Sequence, residues 1–178
     1  MLDPDIQKHL LNKNPQGLII DTNILILFFI GVYDPSCIKD CKRTAGYTIN
    51  DFEILKEFLN CFKGLKIYIT PHIISEISNL SITSGSNSSR LHGYVSRVVE
   101  LIKETNESHI EIYSLLRLDL TLIEQFGFTE LGLIELSKRK NIPILTDDGR
   151  LYNYASGQTD VFNFNHIKFY SLSKNLNK

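Results

Sequence analysis

The sequence predicts an α/β protein in three layers, with a central, largely parallel sheet of four to five strands between helices. Short apolar segments alternate with longer amphipathic segments along the chain. The short segments have the length and branched residues of buried strands, whereas the longer ones have helical spacing. Such alternation is typical of parallel sheets that helices cover on both faces. The chain has 178 residues, 43% of them apolar, and we expect one domain over residues 1–178 with its core at roughly 17–170.

The first elements follow from hydrophobic periodicity. Residues 17–20 predict a strand that is buried on both faces, and residues 23–31 predict a helix that packs into the core. Phenylalanine and leucine then recur at helical spacing over residues 52–62, with Asp51 as the expected cap and Gly64 as the expected end.

The middle of the chain contains a second strand and two further helices. Residues 66–69 predict the strand, and Thr70 with Pro71 provides a cap and a first helical position for the helix that follows. The serine-rich residues 81–89 predict a loop, and residues 91–102 predict a long amphipathic helix.

The last third repeats the pattern. Residues 110–113 predict a third strand, and a helix then ends near Gly127. Thr129 is expected to cap the next helix, and residues 143–146 predict a fourth strand.

Composition excludes some functions and favours one compartment. The net charge of −1 balances 19 basic against 20 acidic residues, so the chain as a whole does not attract nucleic acid. Three cysteines fit reduced thiols, mostly buried, in a cytoplasmic protein. The most apolar stretch contains Asp21 and Asn23, which argues against a membrane span, and residues 1–15 are too polar for a signal peptide.

Acidic residues follow the predicted strands or begin the predicted helices. Asp21, Asp147 and Asp148 come after strands, and Glu76 and Glu130 lie near helix starts. These positions converge at one edge of an open parallel sheet. Two carboxylates about 4 Å apart repel by roughly 4 kcal/mol at an effective dielectric constant of 20, so the cluster requires a proton or a cation. Oxygen ligands suit Mg²⁺ or Mn²⁺, which can activate water for attack on a phosphodiester.

Four motifs in one order carry a resemblance to a known family. They are IIDTN at residues 19–23, TPHIISE at 70–76, FTELGLI at 128–134 and ILTDD at 144–148. Each motif alone is weak, but the ordered set resembles the motifs of PIN-domain nucleases and spans residues 17–155. The tail at residues 162–170 is similar to the closing strand of some PIN domains, so the resemblance implies a last strand there.

The resemblance implies roles for individual residues. Asn23 and Thr146 resemble the small polar residues that orient the acids. Beside the resemblance, Asp147 is a fifth nearby carboxylate that we include among the expected metal ligands. Arg150, just past the aspartates, is expected to contact a substrate phosphate, with a surface salt bridge as the alternative. The third acid is commonly aspartate, so Glu130 departs from the pattern and is one methylene longer. The family's catalytic, metal-binding acids correspond to Asp21, Glu76, Glu130 and Asp148.

The resemblance also implies an activity and partners. We expect a Mg²⁺- or Mn²⁺-dependent endoribonuclease that cuts single-stranded RNA, regulated by a cognate antitoxin or another protein, and homodimeric as many family members are.

Other interpretations stay open. Taken singly, Asp21 and Glu130 could serve helix N-termini, and Asp148 could begin a turn. A structure-specific DNA nuclease would be expected to add further acids and a basic arch. A phosphoacceptor receiver domain would have an acidic pair at the first strand and a lysine after a late strand. A non-catalytic PIN-like binding module would keep the fold without the activity.

Overall fold

A parallel sheet forms the centre of the molecule. The computed structural model of the chain describes residues 16–81 and 93–173. Within them, the strands are β1 (Gly17–Ile20), β2 (Lys66–Ile69), β3 (Asn106–Glu107), β4 (Ile144–Thr146) and β5 (Val161–Asn163). They pair in the order β3-β2-β1-β4-β5, and every pair is parallel.

Helices flank this sheet in a three-layer α/β/α arrangement, as predicted. In the described part of the chain they are α1 (Thr22–Tyr33), α2 (Ile49–Asn60), α3 (Pro71–Ser81), α4 (Tyr94–Lys103), α5 (Ile112–Leu115), α6 (Leu120–Lys140), α7 (Gly149–Ala155) and α8 (Phe164–Ser173), with a 3-10 helix at Pro35–Lys39. Across residues 16–81 and 93–173, each helix is too short or too polar to span a lipid bilayer.

The central strand explains why the core forms here. Leu18, Ile19 and Ile20 of β1 are fully buried, because β1 has a strand on each side and helices above and below. The buried strand and the core helix after it are confirmed, as are β2, the helix that starts at Pro71, and β4. Cys37 and Cys41 are buried free thiols, as expected.

Two predicted strands are wrong. Residues 110–113 do not form a strand; the third strand is Asn106–Glu107, and a short helix begins at Ile112. The closing strand stops at Asn163 instead of running to residue 170. The Asn163 side chain accepts hydrogen bonds from the backbone of Asn165 and His166, which begins α8.

Three helix boundaries also differ from the predictions. Thr48, not Asp51, caps α2, and Asp51 completes a capping box by accepting from the Thr48 backbone. The helix ends at Asn60, while Gly64 lies in the following turn at φ +68°. Gly127 breaks α6 without ending it, since helix continues on both sides. The predicted loop at 81–89 and the start of the helix at residue 91 fall within 82–92, outside the described residues.

The strand order creates a crevice at one point of the sheet. From β1 the chain builds β2 and β3 on one side, then returns to place β4 and β5 on the other. Consecutive connections therefore leave β1 and β4 in opposite directions, which opens a gap between them at their carboxyl ends. Asp21 lies at this edge, where its backbone N–H donates to the Leu145 carbonyl at 2.9 Å.

Candidate active site

Acids from the first and fourth strands are joined through one threonine. Asp21 directly follows β1, and Asp147 and Asp148 directly follow β4. The buried Thr146 hydroxyl donates to Asp21 Oδ2 at 2.7 Å and accepts from the Asp148 backbone N–H at 3.0 Å. This network joins the ends of β1 and β4 at the crevice. A role for Thr146 in orienting catalytic acids stays a prediction.

Asp21 is a buried carboxyl that does not cap its helix. Asp21 is only 7% exposed, and its side chain makes no capping hydrogen bond to α1. Burial raises the Asp21 pKa from 3.8 to about 7; the Thr146 hydrogen bond opposes this rise, and the charges of Asp147 and Glu130 add to it. The ordinary interpretation of Asp21 as a helix cap is therefore not supported by its contacts.

The two glutamates approach from α3 and α6. Thr129 donates its hydroxyl to Glu76 Oε1 at 2.6 Å instead of capping a new helix. Burial raises the pKa of the half-buried Glu130, the nearby charges of Glu76 and Asp148 raise it further, and Arg150 lowers it. Glu130 is thus within electrostatic range of Glu76, 54 residues before it in the sequence, and of Asp148, 18 residues after it.

A glycine breaks α6 three residues before Glu130. Gly127 has φ +76° and ψ 175°, a conformation that breaks the helix and that residues with a side chain rarely adopt. A Cβ atom at this position would lie 3.4 Å from Glu130 Oε2. The break therefore brings the helix backbone close to the Glu130 carboxylate.

Asp148 does serve its own helix. Its Oδ1 accepts from the backbone N–H groups of Arg150 at 2.7 Å and Leu151 at 3.2 Å, which caps α7. The Arg150 guanidinium lies 3.6 Å from Asp148 Oδ2, and its side chain is 72% exposed. Contact between Arg150 and a substrate phosphate stays a prediction.

Asp147 is held by residues that sequence analysis did not single out. The hydroxyl of Tyr47 donates to Asp147 Oδ2, and the Asn165 amide donates to the Asp147 carbonyl at 2.9 Å. Tyr47 is only 6% exposed. Its burial and the Asp147 charge raise its pKa, so the phenol keeps its proton.

Asn23 faces a cation at the rim of the crevice. It lies in the first turn of α1, half-buried, and its Oδ1 accepts from the Arg43 guanidinium at 3.4 Å. Arg43 and Arg150 therefore place exposed positive charges beside two positions of the sequence motifs, Asn23 and Asp148.

Sequence reasoning missed Tyr47, Arg43, Asn165 and the contact of Thr129. None of the first three lies in one of the four motifs. Thr129 was assigned to a helix cap, and only its contact with Glu76 reveals another role. No local spacing signals such contacts, because they join segments that are distant in the chain.

The acids share one edge without forming a ready metal cluster. In residues 16–81 and 93–173, no three His, Cys, Asp or Glu residues are grouped so that they could hold a metal ion as they stand. Four of the acids accept hydrogen bonds from separate donors, which lowers the repulsion that close packing would cause. Their oxygen atoms suit Mg²⁺ or Mn²⁺, and the buried Asp21 is a group that a cation would stabilise as an anion. Side-chain rotation would be needed to bring these oxygens onto one ion.

Comparisons with known proteins do not assign a function. No protein-family model and no curated protein matches this chain. A solved structure, a domain of a functionally unknown protein from Methanocaldococcus jannaschii DSM 2661, is similar to it, with 15% sequence identity and a TM-score of 0.43. The match covers 83% of this chain and 89% of that chain.

Proposed function

We propose that this protein is a metal-dependent endoribonuclease of the PIN-domain type, which hydrolyses phosphodiester bonds in single-stranded RNA. One observation carries the proposal. Acids from four separate segments of the chain lie near the crevice at the carboxyl ends of β1 and β4, and one of them, Asp21, is buried. The order of the four motifs supports the same conclusion.

The burial of Asp21 favours a functional role over a structural one. A carboxyl that loses water and faces other acids is costly in its charged form. Its raised pKa, to about 7, expresses that cost. Carboxyl groups in a crevice whose pKa is strongly shifted are typical of functional sites, because such a group can bind a cation or transfer a proton.

The residues at this edge have distinct proposed roles. When bound, Mg²⁺ or Mn²⁺ supplies a Lewis acid that activates water and stabilises negative charge on the phosphate. Thr146 orients the Asp21 carboxylate, and Thr129 orients Glu76. The residues that would hold the ion are Asp21, Glu76, Glu130, Asp147 and Asp148.

Substrate binding is assigned to cations at the rim. The net charge of −1 gives the chain no general attraction for RNA, so local positive charge must contact the phosphates. Arg150 next to Asp148 and Arg43 next to Asn23 are exposed guanidinium groups near the ends of β4 and β1. A planar guanidinium can donate two parallel hydrogen bonds to a phosphate.

The proposal extends to setting and partners through the family resemblance. We propose a cytoplasmic nuclease that a cognate antitoxin or another regulatory protein restrains, and that forms a homodimer. Mixing of the protein with its neighbouring gene product, followed by size-exclusion chromatography with light scattering, tests both the complex and the dimer.

A cleavage assay tests the activity. Labelled single-stranded RNA, single-stranded DNA of the same sequence and a DNA flap are incubated with the protein in Mn²⁺, Mg²⁺ or EDTA. We expect RNA cleavage in either metal and none in EDTA. Asp21→Asn and Asp148→Asn should each lower the rate by more than the roughly 10- to 100-fold that loss of a supporting hydrogen bond causes at metal sites.

A matched variant separates chemistry from folding. Asp160 precedes β5 and lies at the opposite edge of the sheet, where its carbonyl accepts from Ile144 N–H at 3.0 Å. Asp160→Asn should retain cleavage, and all variants should keep the far-UV circular dichroism of the parent. Cleavage of the flap alone would indicate a DNA nuclease. Metal-independent cleavage, or none of any substrate, would reject the proposal.

A further inference from the structure

The Asp147 side chain is fixed by a tyrosine from a distant part of the chain. Tyr47 donates its hydroxyl to Asp147 Oδ2 across 100 residues of sequence. This is a hydrogen bond to a charged acceptor, the stronger class of protein hydrogen bonds. It occupies one carboxylate oxygen and leaves the other available to a ligand.

The backbone on both sides of Tyr47 is fixed as well. Before it, the buried Thr44 hydroxyl donates to the Ile38 carbonyl at 2.6 Å, and Tyr47 N–H donates to the Thr44 carbonyl at 2.9 Å. After it, Thr48 and Asp51 form the capping box of α2. Tyr47 thus lies between a turn and a helix start that both restrict its backbone.

The ring of Tyr47 is held by α8. The Phe164 ring lies 6.5 Å from it, centroid to centroid, and the Lys168 ammonium lies 5.3 Å from its centroid. The same ammonium is 3.8 Å from Asp51 Oδ1. Helix α8 also contributes Asn165, whose amide holds the Asp147 backbone carbonyl. One helix therefore restrains the tyrosine and the main chain of its acceptor together.

We propose that Tyr47 is a positioning residue for the metal centre, acting through Asp147, with Asn165 as a second support. This inference rests on the proposed function. Tyr47 restricts the Asp147 carboxylate to one orientation beside Asp21. Asp147 would then be one of the residues that hold the divalent cation, with its side chain already oriented before the ion binds.

Mn²⁺ affinity is the decisive measurement. The free ion is quantified by electron paramagnetic resonance during titration of the whole protein, without RNA. Loss of an outer hydrogen bond at a metal site lowers metal affinity by roughly 10- to 100-fold, and we expect Tyr47→Phe to weaken Mn²⁺ binding by that amount. Tyr113→Phe is the matched control, because Tyr113 is 73% exposed, and it should bind Mn²⁺ like the parent.

A double-mutant cycle shows whether Tyr47 acts through Asp147. In an Asp147→Asn background, Tyr47→Phe should cause little further loss of Mn²⁺ affinity. Independent, additive losses would overturn the inference. Asn165→Ala should also weaken Mn²⁺ binding. Because Asn165 is exposed, this variant provides the test if Tyr47→Phe does not fold.

The two proposals fail in different ways. If the parent protein binds Mn²⁺ and cleaves RNA while Tyr47→Phe, or Asn165→Ala in its place, binds Mn²⁺ equally well, the inference is overturned and the nuclease proposal stands. If the parent binds no Mn²⁺, both are overturned.

Discussion

Thr146 and Asp21 are 125 residues apart in the sequence, yet the hydroxyl of one donates to the carboxylate of the other at 2.7 Å. The hydrogen bond joins the ends of β1 and β4, the two strands between which the sheet changes direction. It also partly offsets the burial of Asp21 by stabilising the charged form. The candidate site is therefore built around a carboxyl whose pKa depends first on its burial and then on the Thr146 hydrogen bond and the nearby acids.

The first prediction concerns stability against pH in EDTA. The Asp21 pKa is 3.8 in the unfolded reference and about 7 in the fold, so between these values the folded chain keeps a proton that the unfolded chain has lost. The free energy of unfolding should therefore fall as pH rises through this window, by about 1.4 kcal/mol per pH unit from this group. Asp21→Asn removes the titration and should be more stable than the parent at pH 8.

Urea unfolding of both proteins at pH 5 and pH 8 measures this difference. Added Mn²⁺ should restore stability to the parent at pH 8, because it binds the anion, and should do little for Asp21→Asn. Equal stability of the two proteins at both pH values would contradict the burial of a titrating carboxyl.

The second prediction concerns Thr146. Thr146→Val keeps the shape of the side chain but removes the donor to Asp21, so the Asp21 pKa should rise further and the acidic limb of the pH–rate profile should move to higher pH. Thr146→Ser keeps the hydroxyl, so the acidic limb of its pH–rate profile should stay where it is in the parent protein. Unfolding of the valine variant should be easier by about 1–3 kcal/mol, because the buried Asp21 carboxyl and the partly buried Asp148 N–H each lose a hydrogen bond. A profile that does not separate valine from serine would argue against the orienting role.

The third prediction concerns the break in α6. Gly127→Ala places a side chain at φ +76°, where residues with a Cβ are strained, so it should destabilise the protein by about 1–3 kcal/mol. Gly132→Ala is a matched change in the same helix, where a Cβ would meet nothing within 4 Å. It should stabilise the protein by up to about 1 kcal/mol through helix propensity. Thermal unfolding of both variants tests the contrast, which would be refuted by equal shifts.

The fourth prediction concerns the arginines at the rim. Arg43→Ala and Arg150→Ala should each raise KM for RNA more than they lower kcat, since their proposed role is to bind phosphate and not to act at the reacting centre. The slope of log affinity against log salt should become shallower by about 0.7 per lost contact. Arg139, in the last turn of α6 at the opposite edge, is the control. A change in kcat alone would place these residues in the chemistry instead.

Local pattern predicted most of the fold because buried strands and capped helices are short-range features. β1 is apolar over its whole length, and Thr70 with Pro71 marks a helix start whatever surrounds it. The predicted third strand was wrong because the true one depends on pairing with a distant segment. β3 is only Asn106 and Glu107, and it is a strand because it pairs with Tyr68 and Ile69 at the sheet edge, which no apolar pattern records.

For the candidate site, the sequence by itself determined which acids lie at the ends of strands and the starts of helices. Parallel topology then requires those ends to share an edge, so Asp21 and Asp148 could be placed together without coordinates. Tertiary structure alone decided that Tyr47 holds Asp147, that Thr129 holds Glu76, and that Asp148 caps its own helix. Hydrogen bonds between side chains depend on packing to within a fraction of an ångström, and spacing along the chain does not specify positions that finely.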